Sequence, residues 1–271
     1  MSLKDTILNL APTSYWPLDD AAGSSCHDEM GLHDATVPAA GVALAVLPFG
    51  SSQAPYFDGA LGSVLTIDDD LKYSQPSANA LTLAVWLCPL ALDNANTAGS
   101  VDQYVHFIEK AVGPSTDVEW ALRFYNQTNP NRHSRRSFYT FNLSGGEGNG
   151  SYMEYGVSKN DETPVELGKW LFVVGQAEPW ISPGDTSTGC ILWKQSVEAQ
   201  RSNGDKYGDF NVQPQHGPGP ITVGGTETMG FKGAIAHFAI WNRLLSADEI
   251  ASMWAAGVSD LSSSAMYHSY P

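Results

Sequence analysis

The sequence predicts an all-β fold, a sandwich or a barrel, with one short helix close to the C-terminus. Three observations predict it. Apolar residues come in short runs divided by Gly, Pro, Asn, Asp and Ser clusters, which is how strands and turns alternate. Charged residues are only 16% of the 271 positions, while 26 glycines and 16 prolines supply turns; the usual charged share is about 25%. Several runs also alternate apolar and polar residues, the period of a half-buried strand.

Taken in order, the strand candidates are SYWPL (14–18), PYFDG (55–59), SVLTI (63–67), LTLAVWL (81–87), YVHFIEK (104–110), EWALRFY (119–125) and SFYTFNL (137–143). They continue with SYMEYGV (151–157), KWLFVVGQA (169–177), CILWKQ (190–195), ITVGG (221–225) and AIAHFAIWN (234–242). In EWALRFY, Trp120, Leu122 and Phe124 share one face and Ala121, Arg123 and Tyr125 the other. The same alternation sends Tyr139, Phe141 and Leu143 inward and Phe138, Thr140 and Asn142 outward. It sends Met153, Tyr155 and Val157 inward and Tyr152 and Glu154 outward. Ser246-Ala-Asp-Glu249 is a capping-box pattern opening the helix, with Ile250, Met253 and Trp254 at helical spacing and Gly257 as the stop. Residues 1–257 therefore read as one domain and 258–271 as a flexible tail.

A formal net charge of −15 repels nucleic acid and anionic membranes. The one basic cluster, Arg132, His133, Arg135 and Arg136, reads as a solvated loop. No run approaches the roughly 18 apolar residues that span a bilayer, and the N-terminus lacks the apolar core of a secretory signal, so a soluble chain with no membrane insertion is expected. A homo-oligomer is compatible with everything above. Cys26, Cys88 and Cys190 have no metal-type spacing. Cys88 reads as a buried free thiol, and a Cys26–Cys190 bridge is left open.

The segments SYWPLDDAAGSSCHDEMGLHDATV, PYFDGALGSVLTIDDDL, ALTLAVWLCPL, LGKWLFVVGQ and FKGAIAHFAIWNRLLSADEI, in that order over residues 14–256, resemble those of laminin-G-like, concanavalin A-like lectin-glucanase domains. The resemblance implies a two-sheet antiparallel jelly-roll sandwich, with a concave sheet often used for carbohydrate. An extracellular or surface role follows from the same resemblance. Many relatives hold a structural calcium between the first loop and an acid of the last strand. This chain departs from that pattern, with Ile235-Ala236-His237 where relatives have Ile-Asp-Glu. A calcium site built on Asp20, Asp28 and backbone carbonyls is one reading of the first loop; solvated turn-forming acids are the other.

Function can be weighed on chemistry. A glycan hydrolase or lyase of this fold needs paired carboxylates on one strand face; the family's acid motif is absent, and Glu154 is alone on its face. Sugar binding needs an aromatic platform beside hydrogen-bonding groups. Arg123, Tyr125, Phe138, Asn142, Tyr152 and Glu154 offer that set, with Trp180 as a further aromatic. The leading expectation is a non-catalytic module that binds a glycan or cell-surface polysaccharide on the concave sheet. The alternatives are a hydrolase or lyase, and a structural or adhesion module of a phage-like or cell-surface assembly.

Overall fold

The computed structural model describes residues 1–20, 23–44, 48–91, 104–113, 116–125, 136–140, 153–156, 166–182, 189–198, 214–226 and 230–263. Their strands form two antiparallel eight-stranded sheets. Numbered in chain order, the first sheet runs β14 (Val197–Glu198), β13 (Cys190–Lys194), β12 (Leu171–Ala177), β7 (Leu81–Pro89), β16 (Lys232–Trp241), β5 (Pro55–Asp58) and β4 (Val42–Leu44), with β1 (Ser14–Trp16) also paired to β16. The second runs β11 (Met153–Gly156), β10 (Arg136–Thr140), β9 (Thr116–Tyr125), β8 (Tyr104–Gly113), β15 (Ile221–Val223), β6 (Leu65–Ile67), β3 (Ala35–Thr36) and β2 (Ser25–Cys26). This is the expected sandwich, and every predicted run contributes a strand.

Two apolar cores explain which runs alternate and which do not. Between the sheets lie Trp16, Phe57, Leu83, Val85, Leu87, Trp120, Leu122, Phe124, Ile235 and Phe238. A second core covers the outer face of the first sheet: Ala84, Trp86, Cys88, Phe172, Val174, Ala236 and Trp241 meet Leu3 and Ile7 of α1 (Leu3–Asn9) and Ile250, Met253 and Leu261 of α2 (Ala247–Ser263). β7 is therefore buried at all nine positions, and its sequence is a continuous apolar run rather than an alternating one.

The capping box forms: Ser246 Oγ accepts from the Glu249 amide (3.3 Å), and Glu249 Oε2 accepts from the Ser246 amide (2.7 Å). Arg243 grips the same carboxylate with both terminal nitrogens, at 3.0 and 2.7 Å. These contacts, the Arg243 guanidinium first, hold the Glu249 carboxyl down at about 2. Three findings differ from expectation. α1 is an additional helix, capped by Ser2, whose Oγ accepts from the Asp5 amide. Cys26 is a buried free thiol like Cys88, so no Cys26–Cys190 bridge forms; Cys26 faces the core from β2. Gly257 does not stop the helix, which continues to Ser263.

Gly257 is instead a packing residue, since a Cβ there would overlap the Trp86 ring. That ring cannot move aside, being fully buried and stacked on Phe172 and Trp254. Alanine gains about 1 kcal/mol of helix propensity over glycine, whereas forcing a methyl into a packed core costs about 1–3 kcal/mol. Gly257→Ala is expected to lower the urea midpoint; a midpoint above the parent's would show that the helix–sheet contact is loose.

Candidate functional site

With α1 and α2 on the first sheet, the outer face of the second is the sheet face that no described helix covers. Two bulges shape it. Between His106 and Ile108, β8 advances two residues against one on β9, so Phe107 and Ile108 both enter the core. Between Lys110 and Ala111, β9 carries the extra residue, Glu119. The bulges fix which side chains of β8 and β9 face outward: His106, Glu109, Ala111, Val118, Ala121 and Arg123.

Charge concentrates at the middle of that face. His106 stands opposite Arg123, and Glu109 opposite Ala121. The Nδ1 of His106 lies 2.5 Å from Oε2 of Glu109, and the two side chains are only 4% and 3% exposed. Arg123 is buried as well. Buried charge is expensive unless paired, and the His106–Glu109 contact meets that condition for these two side chains.

Across the sheet, one register row includes all eight strands: Ser25, Thr36, Thr66, Thr222, Glu109, Ala121, Tyr139 and Glu154. Paired residues in a sheet share a face, so the row from Ser25 to Ala121 lies on the outer face.

A second polar group closes one end of the sandwich. Lys110, fully buried, reaches Asp69 Oδ1 at 2.6 Å and Glu119 Oε2 at 3.0 Å. The Asp69 contact is a charge contact outside hydrogen-bond geometry, since Oδ1 has no hydrogen-bond partner. The Lys110 ammonium also donates to the carbonyls of Gly217 and, at 3.0 Å, Gly219. The Gly217 amide donates to Glu119 Oε2 (3.0 Å). His216 bridges Ser74 Oγ (2.8 Å) and Asp69 Oδ2 (3.3 Å). Burial pushes the Glu119 carboxyl above its usual range, and the Lys110 charge pulls it back. Ser74, His216 and Asp69 are a hydroxyl, a base and an acid in line, but Ser74 is fully buried, so no substrate can reach its oxygen. The group pins segment 214–220 over the core.

The sequence-selected residues divide as follows. β9, β10 and β11, which carry Arg123, Tyr125, Phe138 and Glu154, are consecutive in the second sheet. Arg123 faces outward but is buried rather than open. In β10 the register differs from the expected alternation: Phe138 is opposite the core residue Leu122, and Tyr139 is opposite the outer-face residue Ala121. Asn142 and Tyr152, and the side chains of Tyr125, Phe138 and Glu154, lie outside the described residues. Trp180 is half-buried and packs on the inter-sheet core. Sequence reasoning missed His106 and Glu109; the available signal was two ionisable residues inside the apolar run YVHFIEK.

In the first loop, Asp28 is fully buried. Its Oδ1 accepts from the amides of Tyr15 (2.9 Å) and Met30 (3.0 Å), and its Oδ2 from those of Leu32 (3.0 Å) and His33 (3.3 Å). Asp20 Oδ2 accepts from the His27 amide (2.9 Å). Asp28 ties the loop to Tyr15 of β1, and the Asp20 contact lies within the loop. Among the described residues no three His, Cys, Asp or Glu side chains converge as a metal-binding group, and no described helix is long and apolar enough to cross a membrane.

No family model matches the chain, and no curated protein matches it. Solved structures do. The botulinum neurotoxin serotype D binding domain is similar at 13% identity and TM-score 0.60, over 95% of this chain and 53% of its own. The botulinum neurotoxin type G receptor binding domain gives 11%, 0.53, 90% and 51%. Trypanosoma rangeli sialidase in complex with sialic acid gives 15%, 0.57, 91% and 33%. The chain spans about a third of the sialidase and half of the toxin domains, and at these identities what is shared is the β-sandwich fold.

Proposed function

We propose that the outer face of the second sheet binds carbohydrate without cleaving it, as a laminin-G-like or concanavalin A-like module does. The observation that carries this reading is the buried His106–Glu109–Arg123 group on the sheet face that no described helix covers. Burying charge costs folding stability, which supports a role for this face beyond packing: the buried group orders the face, and the hydroxyls of a ligand meet the side chains around it. Tyr125, two residues beyond Arg123 on β9, supplies an apolar platform for the C–H face of a sugar ring. Asn142, Tyr152 and Glu154, selected from the sequence, are the further candidates for hydrogen bonds and a second ring. Support of a coarser kind comes from the neighbours: one sialidase structure holds sialic acid, and one toxin domain is named for receptor binding.

The test is a glycan array followed by titration calorimetry on the best ligand. Tyr125→Ala is expected to weaken binding roughly tenfold, the effect of about 1–2 kcal/mol from losing one aromatic contact, with the melting temperature unchanged. Binding that survives Tyr125→Ala intact, or a parent that binds no glycan, would refute the proposal. Shortening of the bound chain by the parent would make the protein an enzyme.

A further inference from the structure

The first loop is folded around a carboxylate. Asp28 is fully buried, and its two oxygens accept from four backbone amides, those of Tyr15 and Met30 on Oδ1 and those of Leu32 and His33 on Oδ2. A carboxylate has about four lone-pair sites, so all of them are taken. The loop also bonds in the other direction: Asp34 Oδ1 accepts from the Asp28 amide (2.9 Å) and lies 3.0 Å from Nδ1 of His27. The turn closes between the Gly31 amide and the Asp28 carbonyl at 2.8 Å, with Gly31 in the left-handed region at φ 70°. Backbone carbonyls around the loop are committed too. Those of Tyr15, Pro17 and His33 accept from the Glu29 amide (2.9 Å), the His237 amide (3.1 Å) and Trp16 Nε1 (2.8 Å). On the last strand, His237 offers an imidazole, and its Nδ1 is 2.6 Å from the Tyr15 hydroxyl.

The resemblance in the sequence implies a calcium ion between this loop and the last strand, and the donors here do not fit one. Calcium takes about six to eight oxygens whose lone pairs converge on one centre. Around Asp28 the converging groups are N–H donors, and their positive ends repel a cation. Backbone amides that converge in this way form an anion-binding concavity, and the chain's own carboxylate fills it. We infer that Asp28 is the staple of the first loop in place of a metal ion, and that the fold joins this loop to its last strand without a divalent cation. Hydrogen bonds alone make the joint. Asp28 holds the Tyr15 amide, the Tyr15 hydroxyl meets the His237 ring, and the His237 amide returns to the Pro17 carbonyl.

The test is thermal unfolding of the full chain in a chelator and in millimolar calcium, magnesium or manganese. A cation that binds the native state raises the melting temperature with its concentration. The parent is expected to melt at the same temperature in every solution. Asp28→Asn keeps the side-chain shape but replaces an acceptor oxygen by a donor, which cannot satisfy the amides that face it. Its melting temperature should fall by about 5–10 °C, and by the same amount in chelator and in calcium. Hydrogen exchange of the parent is a second measurement that needs no variant. The amides of Tyr15, Met30 and Leu32 should be equally protected in chelator and in calcium. Three results would overturn the inference. One is a rise in the parent's melting temperature with calcium that Asp28→Asn or Asp20→Asn abolishes. Another is fast exchange of those amides in chelator. The third is an Asp28→Asn variant as stable as the parent.

Discussion

Lys110→Met is expected to destabilise the protein by about 3–5 kcal/mol, the cost of breaking a buried ion pair from one side. Methionine fills the stem's volume but leaves Glu119 buried and Asp69 partly buried, with no cation between them. It also removes the donor shared by the carbonyls of Gly217 and Gly219. Segment 214–220 has little freedom to compensate, because Gly219 packs so closely on the Ala111 carbonyl that even a Cβ would collide. Glu119 already shows the strain of burial in its raised carboxyl. Glu119→Gln should therefore recover part of the loss in the Lys110→Met background while being destabilising alone. Urea unfolding of the two single variants and the double variant measures this coupling. Strict additivity, or a loss below about 1 kcal/mol for Lys110→Met, would mean that the group is not one coupled plug.

The same strands show what the sequence could and could not disclose. EWALRFY announced its two faces because one is purely apolar, and Trp120, Leu122 and Phe124 are all in the core. RSFYT has aromatic residues at both parities, so period alone could not choose its face; pairing with β9 chose it, with Phe138 opposite Leu122. YVHFIEK hides a bulge, and only the resulting phase change sets His106 and Glu109 on one face. The helix α1 was missed because LKDTILN has only seven residues and an apolar pair, Leu3 and Ile7, one turn apart. Such a length is too short to be stable by itself, and its stability comes from contact with the first sheet. Gly257 carried the opposite lesson: a glycine that looked like a helix stop is there because the Trp86 ring takes the place of its side chain. The register row across the second sheet was invisible in principle, since its residues come from eight separate strands and only the pairing aligns them.

The last strand makes a pH-dependent prediction where the sequence departed from its resemblance. His237 sits in a bulge of β16 with left-handed backbone (φ 52°) and donates its amide to the Pro17 carbonyl at 3.1 Å. Its Nδ1 is 2.6 Å from the Tyr15 hydroxyl, and its ring meets Phe49 edge-on. Burial, assisted by the Lys4 charge, pushes the imidazole down to about 3. The unfolded chain titrates near the ordinary histidine value of about 6.5. Between these limits the unfolded state binds the extra proton, so stability is complete above pH 6.5 and falls as the solution is acidified. The slope approaches 1.36 kcal/mol per pH unit, and the whole interval is worth at most about 5 kcal/mol. Glu119, shifted upward, works in the opposite direction, so the informative quantity is the difference between the parent and a variant without the imidazole. Asparagine tolerates left-handed backbone, which makes His237→Asn the suitable substitution. It is expected to be less stable than the parent near neutral pH, through loss of the Tyr15 and Phe49 contacts, yet to lose less stability between about pH 6.5 and pH 5, where the exposed carboxylates stay ionised. Chemical denaturation at several pH values gives both curves. Parallel curves would mean that His237 takes up its proton within the fold, and that the bulge is open enough to water to hold a charge.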